Sequence, residues 1–215
     1  GNASALPITV VPMPYQGTAA APATDVAGVV RADLERSGAF RTLPVVSITE
    51  RPTPGGESQY PTWRALRQDY LVVGRVADAG DGSYRVEYEL FDVAKQERLL
   101  GCALTAPAGA MRDVAHQISD AVYEKILGTP GAFWTRIAYV TASGLGRNSK
   151  YALMVADADG WAPRTVVNSN EPLMSPSWSP DGRRLAYVSF ESGNSEVYIQ
   201  DIASGSREKI TSFRG

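Results

Sequence analysis

The apolar positions of the chain change period several times, and each change marks an element. Leu6-Pro7-Ile8-Thr9-Val10-Val11-Pro12 is apolar, β-branched and bounded by prolines, which predicts a short buried strand. The capping-type residues Thr24-Asp25 then precede Val26, Val29, Val30 and Leu34 at helical spacing, with Ser37-Gly38 as the stop, a strand-then-helix order. Phe40 to Ile48 reads as a second extended segment. It leads into a polar Pro/Gly loop from Glu50 to Tyr60 and a short helix over Pro61-Thr62-Trp63-Arg64-Ala65-Leu66-Arg67.

From Asp69 the spacing becomes that of strands. Tyr70-Leu71-Val72-Val73-Gly74-Arg75-Val76 is followed by Asp81-Gly82 and then by Tyr84, Val86, Tyr88 and Leu90 alternating with Arg85, Glu87 and Glu89. An Asp-Gly pair between two period-2 runs predicts a hairpin, with Gly80 able to lengthen its loop. A third strand, Arg98 to Thr105, completes a meander. Met111, Val114, Ala115, Ile118, Val122 and Ile126 recur at i, i+3, i+4 and stop at Gly128 and Pro130, which predicts an amphipathic helix. Residues 1–130 therefore read as an α/β unit.

After Gly131 the helical period vanishes and an internal repeat replaces it. Ile137-Ala138-Tyr139-Val140 returns as Leu185-Ala186-Tyr187-Val188, and Val155-Ala156-Asp157 returns as Ile199-Gln200-Asp201. A spacing of about 40–45 residues with several short strands per copy is the period of a β-propeller blade. The turns agree. In Ser179-Pro180-Asp181-Gly182, Pro180 presets φ, Asp181 favours the next position and Gly182 supplies a positive φ. These three are structural turn residues, and Asp159-Gly160 and Ser204-Gly205 punctuate the other hairpins in the same way.

Composition and charge narrow the function. With 21 Lys+Arg against 23 Asp+Glu, the formal net charge is −2, so the basic excess of a nucleic-acid binder is missing. No apolar run reaches the roughly 18 residues of a membrane helix. The single cysteine, Cys102, excludes an internal disulfide and a Cys-based zinc site, and its place between Leu100 and Leu104 predicts a buried strand thiol.

Candidate chemistry is sparse. His116 is the only histidine. It neighbours Ala115 on a helix whose Asp113, Gln117 and Asp120 look solvated, so a helix-surface role outweighs a catalytic triad. One His and one Cys without HExxH spacing give no metal site. Asp157 and Asp159 lack the alternating acids of a Ca²⁺ loop and fit a hairpin turn better. Gly144-Leu145-Gly146-Arg147-Asn148-Ser149 lacks the third glycine and following helix of a phosphate loop. Asn2-Ala3-Ser4 matches a sequon of low information, and Arg183-Arg184 reads as a solvated hairpin flank. Trp134, Tyr139, Trp178 and Tyr187 are expected to fill space between blades, with Trp161 beside the Asp159-Gly160 turn an exposed contact residue. No catalytic residue, cofactor or metal is assigned.

The string from Ser175 to Glu191, SPSWSPDGRRLAYVSFE, resembles the second-blade region of the TolB family, the periplasmic component of the Tol-Pal envelope system. The preceding Glu171-Pro172-Leu173-Met174 and the following Tyr198-Ile199-Gln200-Asp201 extend the likeness. So do Pro7-Ile8-Thr9-Val10-Val11-Pro12, Tyr88-Glu89-Leu90-Phe91-Asp92-Val93 and Gly131-Ala132-Phe133 in the amino-terminal unit. The resemblance implies an α/β amino-terminal domain with a mixed sheet and helices over 1–130, then all-β propeller blades over 131–215. The latter are the first two of six, so that the propeller is incomplete in this chain.

It also implies a non-enzymatic, monomeric periplasmic adaptor that supports outer-membrane integrity and constriction at division, and colicin import in some relatives. Its partners are the lipoprotein Pal, through the propeller, and TolA, through the amino-terminal arm. Here Asn2, Ala3, Ser4, Ala5 and Leu6 are the candidate partner-binding residues. A different class, the propeller module of a prolyl-peptidase-like hydrolase with its catalytic domain beyond residue 215, shares the Trp-Ser-Pro-Asp-Gly turn. That class leaves the preceding α/β unit unexplained.

Overall fold

A computed structural model describes residues 4–57 and 60–211 and separates the chain into two units, Gly1–Trp134 and Thr135–Gly215. In the first unit the order along the chain is β1 (Leu6–Val10), β2 (Tyr15–Gln16), α1 (Val26–Arg36), β3 (Phe40–Thr42), α2 (Tyr60–Ala65), β4 (Tyr70–Gly80), β5 (Ser83–Asp92), β6 (Glu97–Pro107) and α3 (Met111–Leu127). The strands form one mixed sheet in the order β3-β1-β4-β5-β6, with β2 alongside β4. β1 runs parallel to both β3 and β4, whereas β4, β5 and β6 form an antiparallel meander.

Period-2 alternation gives this sheet two covered faces. Ile8, Val10, Val72, Val76, Val86 and Leu90 pack on one side with Val30 and Leu34 of α1 and Val114, Ile118 and Val122 of α3. On the other, Val11, Leu71, Val73 and Phe91 pack with Ile48 and with Trp63 of α2, whose indole is fully buried. Burying residues on both faces is what lets Tyr70–Val76 read as a nearly unbroken apolar run.

Local signals account for the element ends. Asp25 caps α1 by accepting from Gly28 N at 3.0 Å. Gly128, at φ 76°, ends α3 in the left-handed conformation and donates to Glu124 O at 2.8 Å. Asp81 and Gly82 both take positive φ, as a two-residue primed hairpin demands, and Gly80 sits at the bulge beside it. The extended segment expected over Phe40–Ile48 is shorter than that: β3 ends at Thr42 and a 3-10 turn occupies Val45–Ser47. Pro44 removes a ladder donor at that point, and Ile48 turns back into the α2 side of the core.

The second unit contains two antiparallel sheets of propeller blades. β7 (Arg136–Ser143), β8 (Lys150–Asp157) and β9 (Arg164–Ser169) form the first, and β10 (Leu173–Trp178), β11 (Arg184–Ser189), β12 (Glu196–Asp201) and β13 (Arg207–Lys209) the second. The sequence repeat survives as a repeat of register: Ala138 faces Val155, and the equivalent Ala186 faces Ile199. Leu153, Val155, Leu173, Leu185, Tyr187 and Tyr198 close a shared core. Within it Gln200, which is buried, donates to Val166 O at 3.2 Å and accepts from the Tyr187 hydroxyl at 3.0 Å. A buried amide satisfied from both sheets specifies their packing as well as stabilising it.

Candidate functional site

The amino-terminal segment is the first candidate. Asn2 and Ala3 lie outside the described residues. Ser4 is exposed, Ala5 half-buried, and Leu6 is already the first residue of β1, donating to Ala39 O at 2.9 Å and pairing with Phe40. Ser4 and Ala5 thus lead directly into β1, which pairs with β3 on one side and β4 on the other.

The second-blade turn joins β10 to β11. Gly182, at φ 68°, donates to Ser179 O at 2.9 Å. Asp181 Oδ1 accepts from the Ser179 hydroxyl at 2.6 Å and from Arg183 N at 3.0 Å, which holds its carboxyl below the usual aspartate range. Ser179 Oγ in turn accepts from Arg184 N at 3.0 Å. Arg136 donates to Gly182 O and lays its guanidinium over Trp178, 4.8 Å from the ring centroid. The Ser179 hydroxyl, Asp181 Oδ1 and Gly182 backbone groups are thus committed to holding the turn's shape.

Three readings from the sequence need correction. His116 is buried, because α3 packs on α1 as well as on the sheet and so has more than one inward face. Its Nδ1 lies 2.7 Å from Asp33 Oδ2, which also accepts from the Ser119 hydroxyl at 2.8 Å, while Asp33 Oδ1 accepts from Arg36 at 2.7 Å. This Ser, His and Asp set is wired unlike a nucleophilic triad, since the single hydroxyl proton goes to the Asp33 carboxylate at 2.8 Å, with Ala115 O 3.0 Å from the same oxygen, and not to the imidazole. Ser119 is fully buried, so the cluster clamps two helices.

Cys102 is exposed rather than buried, because β6 is the edge of the sheet and no strand lies beyond it among the described residues. Trp134 is 54% exposed and so does not fill a core, whereas Tyr187 is buried and Trp178 half-buried, as expected of blade aromatics. Trp161 is 60% exposed beside its turn, a position open to contact. No helix is long and apolar enough to cross a membrane among the described residues.

A feature that motif reading did not single out lies on the meander. Arg75 donates twice to Glu87 Oε2, at 3.0 and 2.6 Å, and Arg85 donates to Glu87 Oε1 at 3.1 Å. These bonds keep the Glu87 carboxyl below the usual glutamate range. Glu89, mostly buried, accepts from Gly55 N at 2.6 Å and from Arg98 at 3.0 Å. The charges border a cavity of about 380 Å³ whose rim includes Pro54, Gly101 and Ala103. The period-2 alternation of Arg85, Glu87 and Glu89 was the available signal, but only the strand pairing brings Arg75 and Arg98 beside them.

Comparison with known proteins places these features. Residues 1–99 match the family model of the TolB amino-terminal domain, and residues 123–215 that of the TolB beta propeller domain. The Tol-Pal system protein TolB of Xanthomonas campestris pv. campestris (strain B100) is 70% identical over 215 residues, 100% of this chain and 49% of that protein. The Tol-Pal system protein TolB of Xanthomonas oryzae pv. oryzae (strain KACC10331 / KXO85) is 68% identical over the same shares. A crystal structure of TolB from Acinetobacter baumannii superposes with a TM-score of 0.83 at 37% identity, covering 99% of this chain and 51% of that one. The chain spans about half the length of the curated relatives it matches.

Proposed function

Because the chain belongs to the TolB family, carrying both its amino-terminal domain and its propeller-type blades, we propose that it acts as a non-enzymatic adaptor of the Tol-Pal system in the periplasm. In this reading residues 1–130 form the amino-terminal domain and 131–215 the first two of six blades. The propeller binds the lipoprotein Pal, and the segment Asn2 to Leu6 contributes to TolA binding. The adaptor role serves outer-membrane integrity and constriction at division, with colicin import an activity of some relatives.

The observation that carries the proposal is likeness along the whole chain, 70% identity over all 215 residues to a protein named for the Tol-Pal system. The structure supplies a physical basis for adaptor work. An α/β domain whose Ser4 is exposed just before β1 is followed by blades in which the turn over residues 179–184 is held by its own polar groups. Such turns present a stiff surface, which lowers the ordering cost of protein binding.

The test is calorimetric titration of the full-length protein with purified soluble Pal and, separately, with the carboxy-terminal domain of TolA. Saturable binding of Pal that survives removal of residues 1–6, with TolA binding weakened by the same removal, is the expected outcome. Failure of the intact protein to bind either partner overturns the proposal.

A further inference from the structure

The outer edge of β6 combines free backbone groups with the charged cavity, and together they describe a binding site for an extended chain. Ala108 N donates to Gly82 O at 3.2 Å next to the Ser83 and Pro107 pair. Antiparallel ladders alternate between hydrogen-bonded and non-hydrogen-bonded pairs. The unbroken register from Ser83 to Leu90 therefore leaves Gly101, Ala103 and Thr105, opposite Glu89, Glu87 and Arg85, in non-hydrogen-bonded pairs. Their N–H and C=O groups point away from β5, toward the open edge, and all three residues are exposed.

Natural edges are blunted by charge, proline, bulges or brevity. β6 is 11 residues long, and between the bulge at Leu99 and Pro107 the stretch Leu100 to Ala106 contains no charge, proline or bulge. The side chains of Gly101 and Ala103 are also the smallest available, and they lie on the face of Glu87 and Glu89, where the cavity opens. Gly101 has a specific reason to lack a side chain: a Cβ there would come within 3.1 Å of the Arg98 guanidinium, which crosses it to reach Glu89.

Charge selects the occupant. Both carboxylates at the cavity are occupied, Glu87 by Arg75 and Arg85, and Glu89 by Gly55 N and Arg98. The guanidinium groups are not saturated. Arg85 bonds through Nε alone and Arg98 through Nη1 alone among the described residues, and their side chains are 50% and 61% exposed. Three guanidinium groups against two carboxylates leave a net positive rim with open donors, which match an incoming carboxylate.

We propose that the β6 edge binds an extended, acidic segment of a partner protein by strand addition. Main-chain bonds form to Gly101, Ala103 and Thr105, and an Asp or Glu side chain enters the cavity to meet Arg98 and Arg85. In strand addition the backbone ladder supplies affinity and side-chain pockets supply selectivity. Within its unit this site lies on β6, a different strand from β1, into which the amino-terminal segment leads.

The test uses the full-length protein and a fluorescein-labelled Thr-Val-Glu-Val-Glu-Val-Thr peptide, read by anisotropy. Two further probes carry Lys in place of Glu, or N-methyl groups on alternate residues along one edge. The Glu peptide is expected to bind about tenfold tighter than either. The Arg85→Gln/Arg98→Gln double variant is expected to erase the Glu-over-Lys preference while the N-methylated probe still binds about tenfold more weakly than the unmodified ones, which shows that the β6 edge itself stays folded. Equal affinity for the three probes, or no saturation by about 1 mM peptide, overturns the proposal. So does mild oxidation that cross-links two copies through Cys102 in competition with the peptide, because the edge then serves a second copy of this chain.

Discussion

Asp33 on α1 and His116 on α3 meet at 2.7 Å although 83 residues separate them, and both are buried. Their contact, with Ser119 donating to the same carboxylate oxygen, ties two helices together over the sheet. A buried pair that loses one partner leaves an uncompensated polar group, which costs more than the net value of the pair itself. Asp33→Ala should therefore destabilise the protein by about 3 kcal/mol, and Ser119→Ala by about 1 kcal/mol. Urea denaturation of each variant checks this, and equal effects of the two would show that Asp33 is not the hub.

Gly131 stands where a Cβ would come within 2.5 Å of Asp120 Oδ1 and 3.0 Å of the Asp120 Cα. The same carboxylate accepts from Phe133 N at 2.8 Å and Trp134 N at 3.1 Å, so it has little freedom to retreat. Gly131→Ala is expected to cost about 1–3 kcal/mol through overpacking. Thermal unfolding would detect the loss, and relief of the strain in a Gly131→Ala/Asp120→Ala double variant would confirm its source by non-additivity.

Gly182 holds φ 68° in the second-blade turn, a conformation that costs an L-residue about 1–2 kcal/mol. Gly182→Val should lower the melting temperature accordingly. Asp181→Ala should also lower it, through the bonds from Ser179 and Arg183. Neither variant should change which partner is bound. Loss of Pal binding at an unchanged melting temperature would instead make the turn a contact surface.

Glu191 accepts from Arg207 at 2.8 and 3.1 Å, and this pairing holds its carboxyl below the usual glutamate value of 4.5. A folded-state value below the unfolded one means that stability is present above the unfolded value and is lost as pH falls through the folded one. The blade carrying β11 to β13 should therefore lose stability as pH falls below 4.5. Glu191→Gln should flatten that part of a melting-temperature profile while lowering its neutral plateau. An unchanged acid limb would show that the pair is screened at the surface.

What the residues determined by themselves was local. The Asp81-Gly82 hairpin, the α3 helix closed by Gly128 and the two-copy repeat all follow from turn chemistry and period, because those forces act within a few residues of their source. The order β3-β1-β4-β5-β6 does not follow from them. Alternation states which face of a strand is buried and leaves its neighbours unstated, since parallel pairing of Ile8 with both Thr42 and Tyr70 depends on distant segments.

Three outcomes hinge on that order. Cys102 is exposed because its strand is last in the sheet. His116 is buried because α1 packs against the helix that carries it. Arg75 and Arg98, 23 residues apart in the sequence, reach Glu87 and Glu89 on the intervening strand only because β4 and β6 flank it. Periodicity thus decided the elements, and long-range strand pairing decided which of their side chains meet water, a charge or a partner.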